Sequence, residues 1–190
     1  MREHRLSAFS GVCSNPVRVP DRPAVDRVGV MDAVVVVEIP KGARNKYEVD
    51  HATGEVWLDR TLFTSMRYPC DYGFFPNTLG EDGDPLDALV LLGAPTFPGC
   101  HISVRVVALF EMTDESGPDA KLVVVPATDP RWQQVRDLED VDQFLRNEIS
   151  QFFEVYKLLE PGKHARIEGW RDRAAAEREL QAAYDRLTSG

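Results

Sequence analysis

No stretch of this chain approaches the roughly 18 consecutive apolar residues that a membrane-spanning helix requires. Cysteine is scarce, with Cys13, Cys70 and Cys100 as the only three thiols in 190 residues. They lie too far apart for a zinc cluster or a disulfide framework, and an odd, sparse count suits a reducing cytoplasm. Positive charge is in deficit: 22 Lys and Arg face 31 Asp and Glu, for a formal net charge of −9. A nucleic-acid binder normally carries a basic footprint, so no nucleic-acid partner is expected, and no membrane partner either. Surplus carboxylate suits a protein that binds divalent cations, because bound metal offsets the charge. Internal repeats and interdomain linkers are also lacking, and the length suits one domain with a core, with or without a tail.

Residues 1–30 are rich in Arg and Pro but have no apolar core of the kind a secretory signal needs. They read as a disordered extension, which places the domain at residues 31–190. Met31, just before the first clear strand, offers an alternative translation start.

Periodicity then divides the chain. AVVVVEIP from Ala33 reads as a strand, and NKYEVD and EVWLDR around HATG read as a hairpin. A Pro/Tyr/Gly-rich loop, YPCDYGFFPNT, leads to GEDGDPLDALVLL, in which four acids precede a buried strand. ISVRVVALFEM and KLVVVPA read as paired strands joined by the acidic loop TDESGPDA. Beyond them the apolar period becomes helical, with Leu145, Ile149, Phe152, Phe153, Tyr156 and Leu159 on one face. After the short strand HARIEGW, a second helix carries Ala176, Leu180, Ala183, Tyr184 and Leu187 on its stripe. Strands followed by two helices predict an α+β domain around a small barrel or curved sheet.

The acids carry the chemistry. Asp82, Asp84 and Asp87 form D-G-D-P-x-D, and Asp114, Glu115 and Asp119 sit in the second acidic loop. Either loop alone is also explained as a solvated acidic turn. If both open at one end of a barrel, their mutual repulsion raises several pKa values unless divalent ions neutralise them. Lys46, Arg60, Lys121 and Lys157 lie at predicted strand or helix ends, and Tyr68, Tyr72 and Tyr156 add hydroxyls. Metals, fixed cations and phenols together are what a phosphoryl-transfer site uses to hold oxyanions.

The ordered blocks EIPKG…NKYEVD, LDR, YPCDYGF, EDGDPLDALVL, MTDESGPDAK and FFEVYKLLEPGK resemble the soluble family I inorganic pyrophosphatases. The wording is nearest to the actinobacterial branch, and D-G-D-P-x-D matches the family signature. The resemblance implies an α+β fold, a five-stranded closed OB-like β-barrel with two main α-helices packed outside. It implies magnesium-dependent hydrolysis of inorganic diphosphate to two phosphates, with several Mg2+ ions per site and a metal-bridging water as nucleophile. Glu38, Asp82, Asp87, Asp114 and Asp119 match the metal ligands. Asp84 matches the general base, a role also given to Asp119. Lys46, Arg60, Tyr72, Lys121, Tyr156 and Lys157 match the phosphate-holding positions, and Glu48 and Tyr68 supporting ones. A cytoplasmic homo-oligomer, a hexamer, is further implied, with Phe144 and Tyr184 among candidates for burial between subunits.

Two rivals follow from the residues. A non-catalytic barrel that binds polyanions lacks the aromatic-plus-basic stripe such binding uses. Hydrolysis of a nucleoside diphosphate by Nudix chemistry lacks that class's G-x5-E-x7-R-E pattern. His51 in the hairpin turn and Cys70 in the tyrosine-rich loop read as a solvated turn residue and a packed thiol.

Overall fold

The computed structural model describes residues 24–25 and 31–189. The expectation of disorder for residues 1–30 therefore lies outside the described residues, except that Ala24–Val25 form a two-residue strand, β1. It pairs antiparallel with the start of β2 (Met31–Ile39), the Val-rich strand read from the sequence. A separate hairpin follows, β3 (Asn45–Val49) and β4 (Val56–Thr61). Then come β5 (Asp71–Phe74), β6 (Asp87–Val90), β7 (His101–Asp114) and β8 (Gly117–Pro126). Helix α1 (Gln143–Val155), β9 (Ala165–Arg171) and helix α2 (Arg173–Ser189) complete the order.

Five strands close on themselves. The sheet runs β1-β2-β5-β6-β8-β7-β9, and β2 also pairs with β7, so β2, β5, β6, β8 and β7 form a ring. Closure removes both free edges from those strands. The alternation of side chains sorts the wall into two apolar clusters. Leu89, Val123 and Val125 join Ile149, Phe152 and Phe153 of α1, whereas Ala88, Val90, Leu122 and Val124 join Ala176, Leu180 and Ala183 of α2. Neighbouring residues of one strand thus belong to different clusters, as a period of two requires. Each helix starts on an aspartate: Asp142 accepts from the amides of Phe144 and Leu145, and Asp172 from that of Ala175. Such caps satisfy otherwise orphaned amides and each contribute about 1 kcal/mol.

Four local readings need correction. The segment taken for a loop, YPCDYGFFPNT, contains β5, the strand that links β2 to β6. Its Tyr, Gly and Pro content hid it, because Gly73 is there for space rather than for a turn. Gly73 is paired with Val37, and a side-chain carbon added to it would run into the backbone of Val36. The second acidic loop shrinks to a turn at Glu115–Ser116, because the β7–β8 ladder continues to the pair Asp114–Gly117. Leu159 and Leu187 leave their expected stripes: α1 ends at Val155 and leaves Leu159 63% exposed, and Leu187 is 46% exposed. Tyr184 is already buried within the chain beside Ala183 of α2, so it is not left for burial against a partner, whereas Phe144 is exposed.

The crowding at Gly73 yields a test of ring closure. Gly73→Ala is expected to lower the unfolding free energy by about 2 kcal/mol through overpacking between β2 and β5, measured by urea denaturation. An unchanged midpoint and slope would contradict the close approach of the two strands.

Candidate active site

Closure of the ring brings residues from distant parts of the sequence to one opening. β6 runs parallel to β8 with Asp87 directly opposite Lys121, and Asp119 lies two residues before Lys121 on the same face of β8. The Lys121 ammonium therefore sits between two carboxylates, 2.5 Å from Asp87 and 2.6 Å from Asp119. Lys121 is 1% exposed, so solvent screens this arrangement little. Tyr72, from the neighbouring β5, donates its hydroxyl to Asp87.

The rest of the cleft forms around that centre. Glu38 on β2 accepts from the Val49 amide at 2.9 Å, which fastens the hairpin to the ring. On the hairpin, Lys46 donates to Glu48 and, at 3.2 Å, to Asp59. Arg60 reaches Asp59 on one side and Glu160 on the other, at 2.9 Å. The turn after α1 delivers Tyr156 and Lys157, and Lys157 meets Asp114 at 2.6 Å and Glu115 at 3.4 Å. Lys163, further along that turn, meets Glu115 at 2.5 Å.

The opening is a cleft of ≈ 740 Å³. It collects every site residue read from the sequence except Tyr68: Glu38, Lys46, Glu48, Arg60, Tyr72, Asp82, Asp84, Asp87, Asp114, Asp119, Lys121, Tyr156 and Lys157. Tyr68 is buried beneath, with its ring edge against Tyr72 at 5.7 Å between centroids. Asp59 and Lys163 also line the cleft and were missed by the sequence reading. Asp59 precedes Arg60 on a strand that showed no other sign of function, and Lys163 follows a Pro-Gly stop and reads as a surface residue. His51 lines the rim with its ring edge on Phe74 at 4.6 Å. Cys70 is packed: burial pushes its thiol up to about 12, outside the reactive range.

Ten carboxylates and five Lys or Arg side chains line the cleft, a formal excess of five negative charges. The acids respond to one another and to burial. Burial pushes the Glu38 carboxyl up to about 7 against the Val49 amide, with Asp87 adding repulsion. Burial also raises Asp82, with Asp119 and Asp84 contributing, and raises Asp87 despite the attraction of Lys121. Asp114 goes the other way: burial opposes its ionisation, but the bonds from Lys157 and from the Ser116 amide hold it below the ordinary range.

Among the described residues, no three acids already converge on a single point. Lys121 occupies the space between Asp87 and Asp119, which is one physical reason. The donor set nevertheless fits a hard divalent cation, since the surplus groups are carboxylates that burial, and then repulsion from neighbouring acids, holds above their normal pKa. A bound cation would favour their ionised forms.

A family model described as inorganic pyrophosphatase matches residues 35–188. The inorganic pyrophosphatase of Leifsonia xyli is 60% identical over 153 residues, covering 80% of this chain and 94% of its own length. That of Streptomyces coelicolor is 60% identical over 157 residues, covering 83% of this chain and 96% of its own. Both are actinobacterial, as the wording of the motifs implied. Among solved structures, the inorganic pyrophosphatase from Thermus thermophilus has a TM-score of 0.82 at 46% identity, covering 88% of this chain and 98% of that one. The one from Coxiella burnetii has a TM-score of 0.83 at 42% identity, covering 89% and 99%.

The Lys121 arrangement predicts a stability effect that does not depend on turnover. Lys121→Met leaves two close, half-buried carboxylates without their counter-charge, so the metal-free protein is expected to lose about 3 kcal/mol. Denaturation in EDTA measures this, and a divalent salt should restore more stability to the variant than to the wild type. A variant as stable as wild type in EDTA would show that the two acids do not depend on Lys121.

Proposed function

The chain belongs to the inorganic pyrophosphatase family, hydrolases of diphosphate, and we propose that it acts with several magnesium ions and serves biosynthetic reactions that release diphosphate. The observation that carries this reading is the charge imbalance of the cleft. Diphosphate is a polyanion, and a site with five surplus negative charges repels it unless divalent cations intervene. The five basic side chains of the cleft are paired with its acids, and they become available to an anion once divalent cations take over those carboxylates.

Glu38, Asp82, Asp87, Asp114 and Asp119 are the residues that would hold the metal. When bound, magnesium supplies the charge that lowers the pKa of the attacking water from about 16 towards neutrality and offsets that of the phosphates. Lys46, Arg60, Lys121 and Lys157 orient the diphosphate oxygens and spread charge on the departing phosphate, while Tyr72 and Tyr156 donate hydroxyl bonds. Burial raises both phenols, so they remain donors at neutral pH. Glu48 supports this set by receiving Lys46, and Tyr68 by backing the ring of Tyr72.

Asp84 is our choice for the proton acceptor. Its carboxylate lines the cleft, is exposed, and has no internal hydrogen bond or ion pair among the described residues, so it is free to take a proton. Pro85 confines its backbone to extended conformations. Asp119, the alternative, is already committed to Lys121.

The same proposal places the enzyme in the cytoplasm, supported by the sparse, odd cysteine count. No helix among the described residues is long and apolar enough to cross a membrane. It also takes residues 31–190 as the catalytic domain and a hexamer as the assembled form, which light scattering would establish.

Phosphate release from diphosphate and from nucleoside triphosphates, in magnesium and then in EDTA, tests the function. Release from diphosphate that stops in EDTA, with little from triphosphates, is expected; no magnesium-dependent release would refute it. For the proton acceptor, Asp84→Asn is expected to lower kcat by about 10² to 10³ with magnesium binding retained. Unchanged turnover would return the role to Asp119.

A further inference from the structure

We propose that Glu160 is a positioning residue that grips the Arg60 guanidinium by its inner edge, presents the outer edge to the diphosphate, and so sets substrate affinity. This rests on the reading above, in which Arg60 holds a phosphate group.

The geometry is asymmetric. Arg60 Nη2 donates to Glu160 Oε2 at 2.9 Å, and the Glu160 side chain is only 7% exposed. Arg60 Nε and Glu160 Oε1 are both buried, and neither has a hydrogen-bond partner. Nε and Nη2 are the two donors along one edge of the planar guanidinium. The pair is therefore one hydrogen bond short of the two-point fork that Arg and carboxylate form. On the far side, Nη1 is engaged by Asp59, whose side chain is 29% exposed and lines the cleft. Glu160 does not line it. An incoming phosphate therefore meets the Nη1 edge and competes with Asp59, while Glu160 keeps the other edge. Losing Asp59 leaves the guanidinium free to rotate onto the vacant Oε1 and complete the fork, with the plane fixed and the outer edge towards the substrate.

The fold explains why such a tether is needed. Arg60 stands on β4, and the hairpin shares no backbone ladder with the ring. Among the described residues, Arg60–Glu160 is the one ion pair that leaves the hairpin; the others join Lys46 and Arg60 to Glu48 and Asp59 within it. Glu160 belongs to the turn that also carries Tyr156 and Lys157, and its amide donates to the Lys157 carbonyl at 2.8 Å. One short turn thus places two phosphate-holding groups directly and a third through Glu160. A lysine at position 60 could not use this tether, because a single ammonium has no second edge to offer.

Four proteins test the inference: wild type, Glu160→Gln, Arg60→Lys and the double variant. KM and kcat are measured on magnesium diphosphate, inorganic phosphate binding by calorimetry, and folding by thermal melting. Glu160→Gln is expected to raise KM about tenfold and weaken phosphate binding similarly, with kcat changed less than about threefold, the pattern of a misaligned binding group. In the Arg60→Lys background the same substitution should add less than about twofold, because the aligned group is gone. Glu160→Asp, which keeps the charge, should recover part of the loss and carries the same comparison if the Gln variant does not fold. Full, additive losses in the double variant, or an unchanged KM, would overturn the inference and leave the function standing. A folded wild type without diphosphate hydrolysis would overturn both.

Discussion

An ammonium placed between two carboxylates, with almost no access to water, is the interaction on which this site depends. Lys121 links Asp87 on β6 to Asp119 on its own strand, and Tyr72 on β5 joins them through Asp87. Three adjacent strands of the ring therefore meet in one charged cluster at its mouth. Burial disfavours ionisation of Lys121, yet the two acids outweigh it and keep the amine firmly protonated. Asp87 still sits above its ordinary value, because burial outweighs the attraction of Lys121 and Asp119 adds repulsion. The cluster is stable enough to fix the strands and still short of positive charge. A permanent lysine provides part of the neutralisation, and an exchangeable cation is left to provide the rest.

Ring closure is what makes that cluster available. The parallel pairing of β6 and β8 is the unusual step in a sheet otherwise built from antiparallel pairs, and it puts Asp87 level with Lys121. A slip of one residue would turn Asp87 to the other face and set Ala88, now inside the α2 cluster, towards the cleft. The apolar residues around Asp87, Leu86 and Ala88 to Leu91, prevent this, since they are shared between the cores on the two sides of the wall. The hydrophobic effect here fixes the register, and the register fixes the chemistry.

Much of the architecture was readable in the sequence, and the exceptions share a cause. The Val-rich strands, the β3–β4 hairpin and both helices were visible because their apolar periods are uninterrupted. β5 was not, because only Gly73 fits against Val36 and the aromatic residues around it resemble a loop. The acids of D-G-D-P-x-D and of the β7–β8 turn were legible as a group because local composition marks them. Asp59, Lys163 and Glu160 were not, since each acquires meaning only from a partner 1 to 100 residues away: Arg60, Glu115 and Arg60 again. Sequence exposes groups that make chemistry, and conceals those that aim them.

That distinction also separates the carboxylates that looked equivalent at first. Asp87 is locked to Lys121 and Tyr72, Asp114 to Lys157, and Glu115 to Lys163. Asp82 spends one oxygen on the amide of Asp84, whereas the Asp84 carboxylate spends none. A ligand-binding acid profits from being held in place, because ordering it in advance lowers the entropic cost of binding. A base must remain uncommitted until the reaction needs it. In the proposed assignment one bond serves both needs, since the contact that steadies Asp82 uses the backbone of Asp84 and leaves its side chain free. Pro85 then restrains the Asp84 backbone through covalent geometry and makes no demand on the carboxylate.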